Sequence, residues 1–155
     1  MRIPPPWTPS AGFTLVELLA VLAVIGMAGA AVALTLPADS GVLDREAARF
    51  GARLVHAQEE AILGTRAIEV TATGAGYGFA RQDFDRWQPL DERPFANVLW
   101  PEGTTARLPR GQEQVTFHFD PTGGAIEQSL TLVRGESMRR VAVDPAGEVS
   151  IDAPR

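Results

Sequence analysis

The sequence predicts an α+β protein, in which a long N-terminal helix is packed on a head of antiparallel β-strands. Three observations predict this class. Residues 13–36 are almost all apolar, residues 43–61 carry an apolar stripe with helical spacing, and beyond Gly64 apolar residues recur with a period of two. With 155 residues and 45% hydrophobic composition, the chain is long enough for one domain with its own core.

The charge and cysteine content exclude several classes of protein. The net charge is -5, which weighs against a nucleic-acid-binding protein, because such proteins need excess cations to replace phosphate counterions. The chain has no cysteine. Disulfides, cysteine zinc sites and thiol nucleophiles are therefore excluded together.

The apolar run at 13–36 has the properties of a membrane-spanning helix. At about 1.5 Å per residue it exceeds a hydrocarbon core of about 30 Å. A secretory signal peptide has a shorter apolar region, about 7–15 residues, although residues 28–30 (Ala-Gly-Ala) resemble its cleavage site. An ordinary signal anchor explains the length of the run but not Glu17, its one charged residue.

Glu17 needs a partner, since a carboxylate inside a bilayer costs about 2.5–3.5 kcal/mol on insertion scales. A cut between Gly12 and Phe13 would create an amino group on Phe13, four residues before Glu17 and on the same helix face. The two charges can neutralise each other within one chain or between neighbouring chains. The alternative is that Glu17 lies at the membrane surface and reaches the headgroups.

The segment GFTLVE at 12–17, followed by the apolar run, resembles the processing motif of type IV prepilins. The resemblance implies that prepilin peptidase cuts after Gly12 and methylates the new N-terminal Phe13, and that Glu17 is needed for assembly. It also implies a leader at 1–12 and a transmembrane helix at 13–36. The leader carries one basic side chain, Arg2, and none beside Gly12, where leaders of this family often have one.

The next segment, 37–64, is predicted to be an amphipathic stem. Pro37 interrupts the helical run, and residues 39–41 predict a joint that caps a new helix, which begins at Leu43 and stops at Gly64. The apolar stripe of the stem consists of Leu43, Ala47, Phe50, Leu54, Ala57 and Ala61. A coiled coil with a partner is one interpretation; three alanines in a short stripe favour packing on the chain's own sheet.

The head, residues 65–155, is predicted to be an antiparallel meander with a polar outer face. Strand patterns cover 66–72, 77–81, 115–120, 130–133, 139–144 and 148–152, and residues 82–109 hold short strands and a long loop. Gly74, Gly76 and Gly78 superficially resemble a phosphate-binding loop. No helix and no Lys-Ser/Thr pair follows them, so a hairpin turn is predicted instead.

No residues in the head predict catalysis, a metal or a cofactor. His56 and His118 lack a clustered third ligand, so they are interpreted as single polar residues. The serines of the head, Ser129, Ser137 and Ser150, do not lie on a strand-to-helix elbow. An acidic cluster beside Trp87 (Asp83, Asp85, Asp91 and Glu92) is predicted to be a solvated loop rather than a glycosidase carboxylate pair.

The order of membrane helix, stem and strands resembles the GspH/FimT branch of the pilin-like family. Three segments carry this resemblance: residues 57–62 in the stem, 87–90 in the middle of the head, and 119–123 at a strand end. It implies a β-sandwich head packed on the C-terminal half of the long helix. It implies no metal, because no Asp/Asn cluster matches the calcium site of major pseudopilins.

The resemblance further implies a minor pseudopilin, a structural subunit that helps to assemble the tip of the type II secretion pseudopilus and to export folded proteins across the outer membrane. The expected partners are other pseudopilins, prepilin peptidase, the inner membrane and exported substrate proteins. The protein would be a single-pass inner-membrane protein with a periplasmic head.

Two alternatives remain open. One is a FimT-like minor type IV pilin involved in pilus assembly or DNA uptake, which would need a basic patch. Arg134, Arg139 and Arg140, on facing strands, are the candidates for that patch. The other is a membrane-anchored periplasmic hydrolase.

Overall fold

The computed structural model describes residues 14–35 and 38–153. The predicted leader at 1–12 and Phe13 lie outside the described residues. The chain divides into two compact units, Met1–Pro37 and Ala38–Arg155.

The first unit contains helix α1, Leu15–Thr35. Its apolar side chains from Leu15 to Met27 are exposed. Within the described residues, no helix combines the length and the mean hydropathy needed to cross a bilayer. The assignment of residues 13–36 to a membrane span stays a prediction.

The second unit begins with helix α2, Ala38–Gly64. The predicted joint at residues 39–41 is wrong, because these residues are helical. One glycine inside a helix costs only about 1 kcal/mol relative to alanine, which a long, well-packed helix outweighs. The predicted stripe from Leu43 to Ala61 is confirmed as fully buried, and it packs on strands of the chain's own head.

The C-terminal end of α2 has an unusual capping residue. The helix ends at Gly64, but the left-handed residue is Thr65, with φ 52°. The Arg66 N–H donates to the Ala61 carbonyl at 3.2 Å, and the Thr65 N–H donates to the Ile62 carbonyl at 3.3 Å. These two bonds form a Schellman motif, which holds a β-branched residue in a conformation that it seldom adopts.

The rest of the second unit forms two antiparallel sheets. The strands are β1 (Ile68–Thr73), β2 (Gly76–Asp83), β3 (Arg86–Pro89), β4 (Val98–Leu99), β5 (Thr104–Arg107), β6 (Gln114–Phe119), β7 (Gln128–Arg134), β8 (Ser137–Val143) and β9 (Val149–Asp152). The first sheet has the order β3-β2-β1-β6, with β4 also paired to β2, and the second has the order β5-β7-β8-β9. The predicted α+β class is confirmed.

The predicted meander is wrong in its strand order. β1 pairs with the distant β6, for example Val70 with Phe117, and β5 pairs with β7, for example Ala106 with Leu132. Alternating sequence patterns define strands but not their partners, because every antiparallel pair uses the same backbone hydrogen bonds. Both sheets pack against α2 with buried apolar residues, and a single meander would supply only one such face.

The core lies between α2 and the two sheets, with Phe50 at its centre. The Phe50 ring makes edge-on contacts with Tyr77, Trp100 and Phe117, at centroid distances of 4.8, 5.3 and 5.7 Å. The second sheet adds buried aliphatic side chains to the same cluster, namely Leu130, Leu132, Val141 and Val143. One core therefore stabilises α2 and both sheets together.

The three predicted turn glycines belong to the β1–β2 hairpin, which confirms that prediction. Two of them have a further role. A side-chain carbon on Gly76 would overlap the Val98 carbonyl oxygen, and one on Gly78 would overlap the Asn97 side chain. The absence of side chains at these positions lets residues 97–99 pack directly against β2.

Candidate functional site

The first candidate site is the N-terminal turn of α1. Of the three predicted site residues, Glu17 is described, while Gly12 and Phe13 lie outside the described residues. The Glu17 N–H donates to the Thr14 hydroxyl oxygen at 3.3 Å and to the Thr14 carbonyl at 3.1 Å. Thr14 therefore caps α1, and Glu17 is the third residue of the helix.

The hydrogen bonds to Thr14 place Glu17 in the first turn of a capped helix, a role that the sequence did not predict. Thr-x-x-Glu is the pattern of a capping box, in which a glutamate in the first turn supports the helix start. A carboxylate there also interacts favourably with the positive end of the helix dipole. Glu17 is exposed on α1, so its carboxylate is accessible to a group from a second chain.

A second candidate site joins two of the three segments that carried the family resemblance. Gln58 of α2 donates through Nε2 to the Gly123 carbonyl at 2.6 Å and to the Ala146 carbonyl at 3.3 Å. Gly123 lies in the turn after β6 of the first sheet, and Ala146 lies in the turn between β8 and β9 of the second. We call Gln58 and these two turns, residues 120–124 and 144–148, the stem–turn junction.

Asp120 organises the first turn of the junction. Its Oδ1 accepts hydrogen bonds from the Thr122 hydroxyl at 2.6 Å, the Thr122 N–H at 2.7 Å and the Gly124 N–H at 3.2 Å. These bonds, above all that from the Thr122 side chain, lower the pKa of the Asp120 carboxyl. The turn thereby presents the Gly123 carbonyl to Gln58.

Gly147 makes room for the Gln58 amide in the second turn. It has φ +81°, and a side-chain carbon there would overlap the Gln58 amide nitrogen. The Ala125 N–H, directly after the first turn, donates to the Pro145 carbonyl of the second turn at 3.2 Å. Helix and both sheets are thus connected at one point by short polar contacts.

The third segment of the resemblance, residues 87–90, does not join the junction. The Trp87 ring on β3 lies edge-on to the His118 ring, with centroids 5.8 Å apart. The Leu90 N–H donates to the Phe79 carbonyl at 2.9 Å, and its side chain packs against the core. Residues 87–89 therefore form part of an edge strand of the first sheet, paired with β2.

The two histidines have separate acidic partners. His56 Nδ1 lies 3.1 Å from the Glu59 carboxylate, and His118 Nδ1 lies 3.4 Å from the Glu69 carboxylate. Within residues 14–35 and 38–153, no group of three or more His, Asp or Glu side chains could hold a metal ion.

The acidic cluster beside Trp87 does not converge on one point. Asp83 pairs with Arg66, and Asp85 lies in the β2–β3 turn. Asp91 and Glu92 line a separate concave surface beside Arg81. The cluster is thus divided between two concave surfaces, with Asp83 and Asp85 in one and Asp91 and Glu92 in the other.

The basic patch predicted for the pilin alternative is divided. Arg139 pairs with Asp44 of α2, Arg140 donates to the Ser129 hydroxyl at 3.1 Å, and Arg134 donates to the Glu102 carbonyl. Arg139 lies opposite Leu132 on the inward face, and the next residue, Arg140, therefore points to the other face. Of the three candidates for a basic patch, Arg140 is therefore on the opposite face of the sheet from Arg134 and Arg139, because consecutive residues of a strand alternate between faces.

The stem–turn junction predicts a specific loss of stability. Gln58→Glu places a carboxylate oxygen against the Gly123 and Ala146 carbonyls, so two attractive contacts become repulsive. We expect the free energy of unfolding to fall by about 2 kcal/mol at pH 7, measured by urea denaturation of the full chain in a non-ionic detergent. Glu59→Gln, the exposed neighbour, is the control and should change it by less than about 0.5 kcal/mol. Equal effects of the two variants would contradict the role of Gln58.

Comparison with protein families adds an independent observation. The family model described as "Type II transport protein GspH" matches residues 46–147, which include Gln58 and all of the stem–turn junction except residue 148. The model described as "Prokaryotic N-terminal methylation motif" matches residues 7–33, which include Gly12, Phe13 and Glu17. No curated protein sequence matches the chain significantly.

Solved structures with the same fold come from two kinds of assembly. The minor pseudopilin EpsH from the type 2 secretion system of Vibrio cholerae has 20% identity and a TM-score of 0.59, covering 72% of this chain and 97% of that one. A second structure of EpsH has 18% identity and a TM-score of 0.61, with coverages of 75% and 96%. The type IV minor pilin FimU of Pseudomonas aeruginosa has 21% identity and a TM-score of 0.54, with coverages of 73% and 98%. At these identities the likeness is one of fold.

Proposed function

Because the chain belongs to the family of type II transport protein GspH, we propose that it is a minor pseudopilin, a structural subunit of the type II secretion pseudopilus. The observation that carries this proposal is the family match over residues 46–147, together with the methylation motif at residues 7–33. The role is structural rather than catalytic. The buried core that joins α2 to both sheets suits a subunit that presents a rigid surface to its neighbours.

The N-terminal motif supports the processing part of the proposal. Prepilin peptidase cuts between Gly12 and Phe13 and methylates the new terminus, which removes the leader at 1–12. Residues 13–36 then hold the protein in the inner membrane, the stem at 37–64 follows, and the head at 65–155 lies in the periplasm.

Glu17 supports the assembly part of the proposal. Its exposed carboxylate, in the first turn of α1, meets the amino group of Phe13 on a neighbouring pseudopilin. Apolar helices gain little from burial inside a bilayer, so close packing and this charge pair select the neighbour. The head then contacts other minor subunits at the pseudopilus tip and the folded proteins that are exported.

A minor type IV pilin is the second candidate, and its support is the shared fold with FimU. Fold alone does not separate the two functions, because both kinds of subunit use it. The charge of -5 and the separation of Arg139 from Arg140 favour secretion over a role in DNA uptake.

One complementation experiment tests the proposal. The gene is deleted in its native host and restored as wild type, Gly12→Ala or the neighbouring control Ala11→Ser. We expect deletion to reduce secreted enzymes in the medium and to leave surface pili and DNA uptake unchanged. Gly12→Ala should accumulate as an uncut precursor, seen by its electrophoretic mobility, and should fail to restore secretion, whereas Ala11→Ser should restore it.

Two outcomes would contradict the proposal. If the deletion strain secretes normally but loses pili or DNA uptake, the protein is a minor pilin and not a pseudopilin. Normal cleavage of the Gly12→Ala chain would remove the processing assignment, even if secretion were lost for another reason.

A further inference from the structure

A groove separate from the stem–turn junction lies between α2 and the segment around β4. It encloses about 400 Å³. Arg49, Arg53 and His56 line one wall, and Val98 and Leu99 line the other. We call this the α2–β4 groove.

The α2 wall of the groove is basic. Arg49, Arg53 and His56 follow one another at spacings of four and three residues, so they share one helix face. Arg53 is half-buried, and within the described part of the chain its Nη1 is shielded from solvent without a hydrogen-bond partner. In contrast, Arg66 and Arg139 already pair with carboxylates of the chain itself. The Arg53 guanidinium therefore has one donor that the described part of the chain does not satisfy.

Glu46 of α2 and Tyr77 of β2 also line the groove, and Glu59 lies beside His56. Glu46 is only 4% exposed, and burial raises the pKa of its carboxyl although Arg49 lowers it. Glu59 is exposed and contacts His56. Burial also raises the pKa of Tyr77, so its phenol stays neutral.

The opposite wall is apolar. Leu99 is 79% exposed, which is high for a large aliphatic side chain in a paired strand. Gly76 and Gly78 allow residues 97–99 to lie close to β2, so this wall is set by backbone packing. A ligand in the groove thus meets guanidinium groups on one side and an aliphatic side chain on the other.

These two walls together select the chemistry of the ligand. Guanidinium groups bind carboxylates with two parallel hydrogen bonds, and an exposed leucine favours an apolar neighbour. A nucleic acid would instead bring many phosphates towards a chain of net charge -5, which is unfavourable. The combination fits a peptide in which acidic and apolar side chains are adjacent.

We propose that the α2–β4 groove binds an acidic, apolar-flanked segment of another pseudopilin, through a carboxylate held by Arg49 and Arg53. The class of partner rests on the proposed function. The binding of a carboxylate beside an apolar side chain rests on the groove alone.

Fluorescence polarisation tests this with the full chain in a non-ionic detergent and a labelled hexapeptide of alternating glutamate and leucine. Arg49→Gln combined with Arg53→Gln should weaken binding about tenfold or more, since hydrogen bonds to charged groups are lost. Arg107→Gln, which removes one positive charge from an exposed position on β5, is the matched control for Arg49→Gln alone. Leu99→Ser should weaken binding of this peptide but not of one that alternates glutamate and glycine.

Circular dichroism shows whether the double variant is folded. If it is not, the single variant Arg49→Gln, at an exposed position, is compared with the control instead. Equal affinities of Arg49→Gln and Arg107→Gln for the peptide would overturn the proposal. Tighter binding of an oligonucleotide than of the peptide, or equal binding of a glutamine–leucine peptide, would also overturn it. Because the assay uses purified protein, its failure would leave the secretion experiment, and the proposed function, unaffected.

Discussion

Replacing Glu17 by alanine is expected to leave leader cleavage largely intact but to reduce the subunit recovered in sheared pseudopili about tenfold or more. Without the carboxylate, the Phe13 amine of the neighbouring chain is left as an unpaired charge in lipid. Such a charge costs about 2.5–3.5 kcal/mol. Immunoblots of sheared filaments measure assembly, and electrophoretic mobility measures cleavage. Unchanged assembly would remove the proposed pairing role.

Two further variants separate this role from capping of α1. Glu17→Gln lacks the charge but suits the third position of a capping box, whereas Thr14→Ala loses the cap and keeps the charge. If the charge pair directs assembly, the Glu17→Gln chain fails to assemble and the Thr14→Ala chain assembles. The reverse result would show that the start of the helix, and not the charge, is what assembly requires.

Replacing Phe50 by alanine is expected to lower the free energy of unfolding of the second unit by about 3–5 kcal/mol. Phe50 is fully buried and contacts aromatic rings from both β2 and β6, so its removal leaves a cavity where α2 meets the first sheet. Domains of this kind have about 5–15 kcal/mol of stability in total. Urea denaturation followed by circular dichroism measures the change.

Leu63→Ala is the control for this prediction, because Leu63 lies on the same helix and is 81% exposed. It should change the free energy of unfolding by less than about 0.5 kcal/mol. Phe50→Leu should fall between the two variants, since it retains part of the buried volume. A similar effect of Phe50→Ala and Leu63→Ala would show that the aromatic cluster does not hold the helix to the sheets.

Several features of this protein follow from the sequence alone, because their causes are local. The stripe from Leu43 to Ala61 and the alternation in β6 predicted buried faces that the structure confirms. The motif at residues 12–17 likewise predicted the family, and the methylation-motif match agrees with it. Helical and strand periods are properties of a few consecutive residues, so one sequence is enough to detect them.

Other features depend on contacts between distant parts of the chain. Gln58 donates to carbonyls that are 65 and 88 residues further along the sequence, and no sequence pattern near Gln58 predicts these partners. The pairing of β1 with β6 and the ion pair between Arg139 and Asp44 also join residues that are far apart in the sequence. Thus the elements and the N-terminal motif were determined by the sequence itself. Strand order, the stem–turn junction and the α2–β4 groove were decided by tertiary packing, because equivalent backbone hydrogen bonds and long-range side-chain contacts leave no local signal.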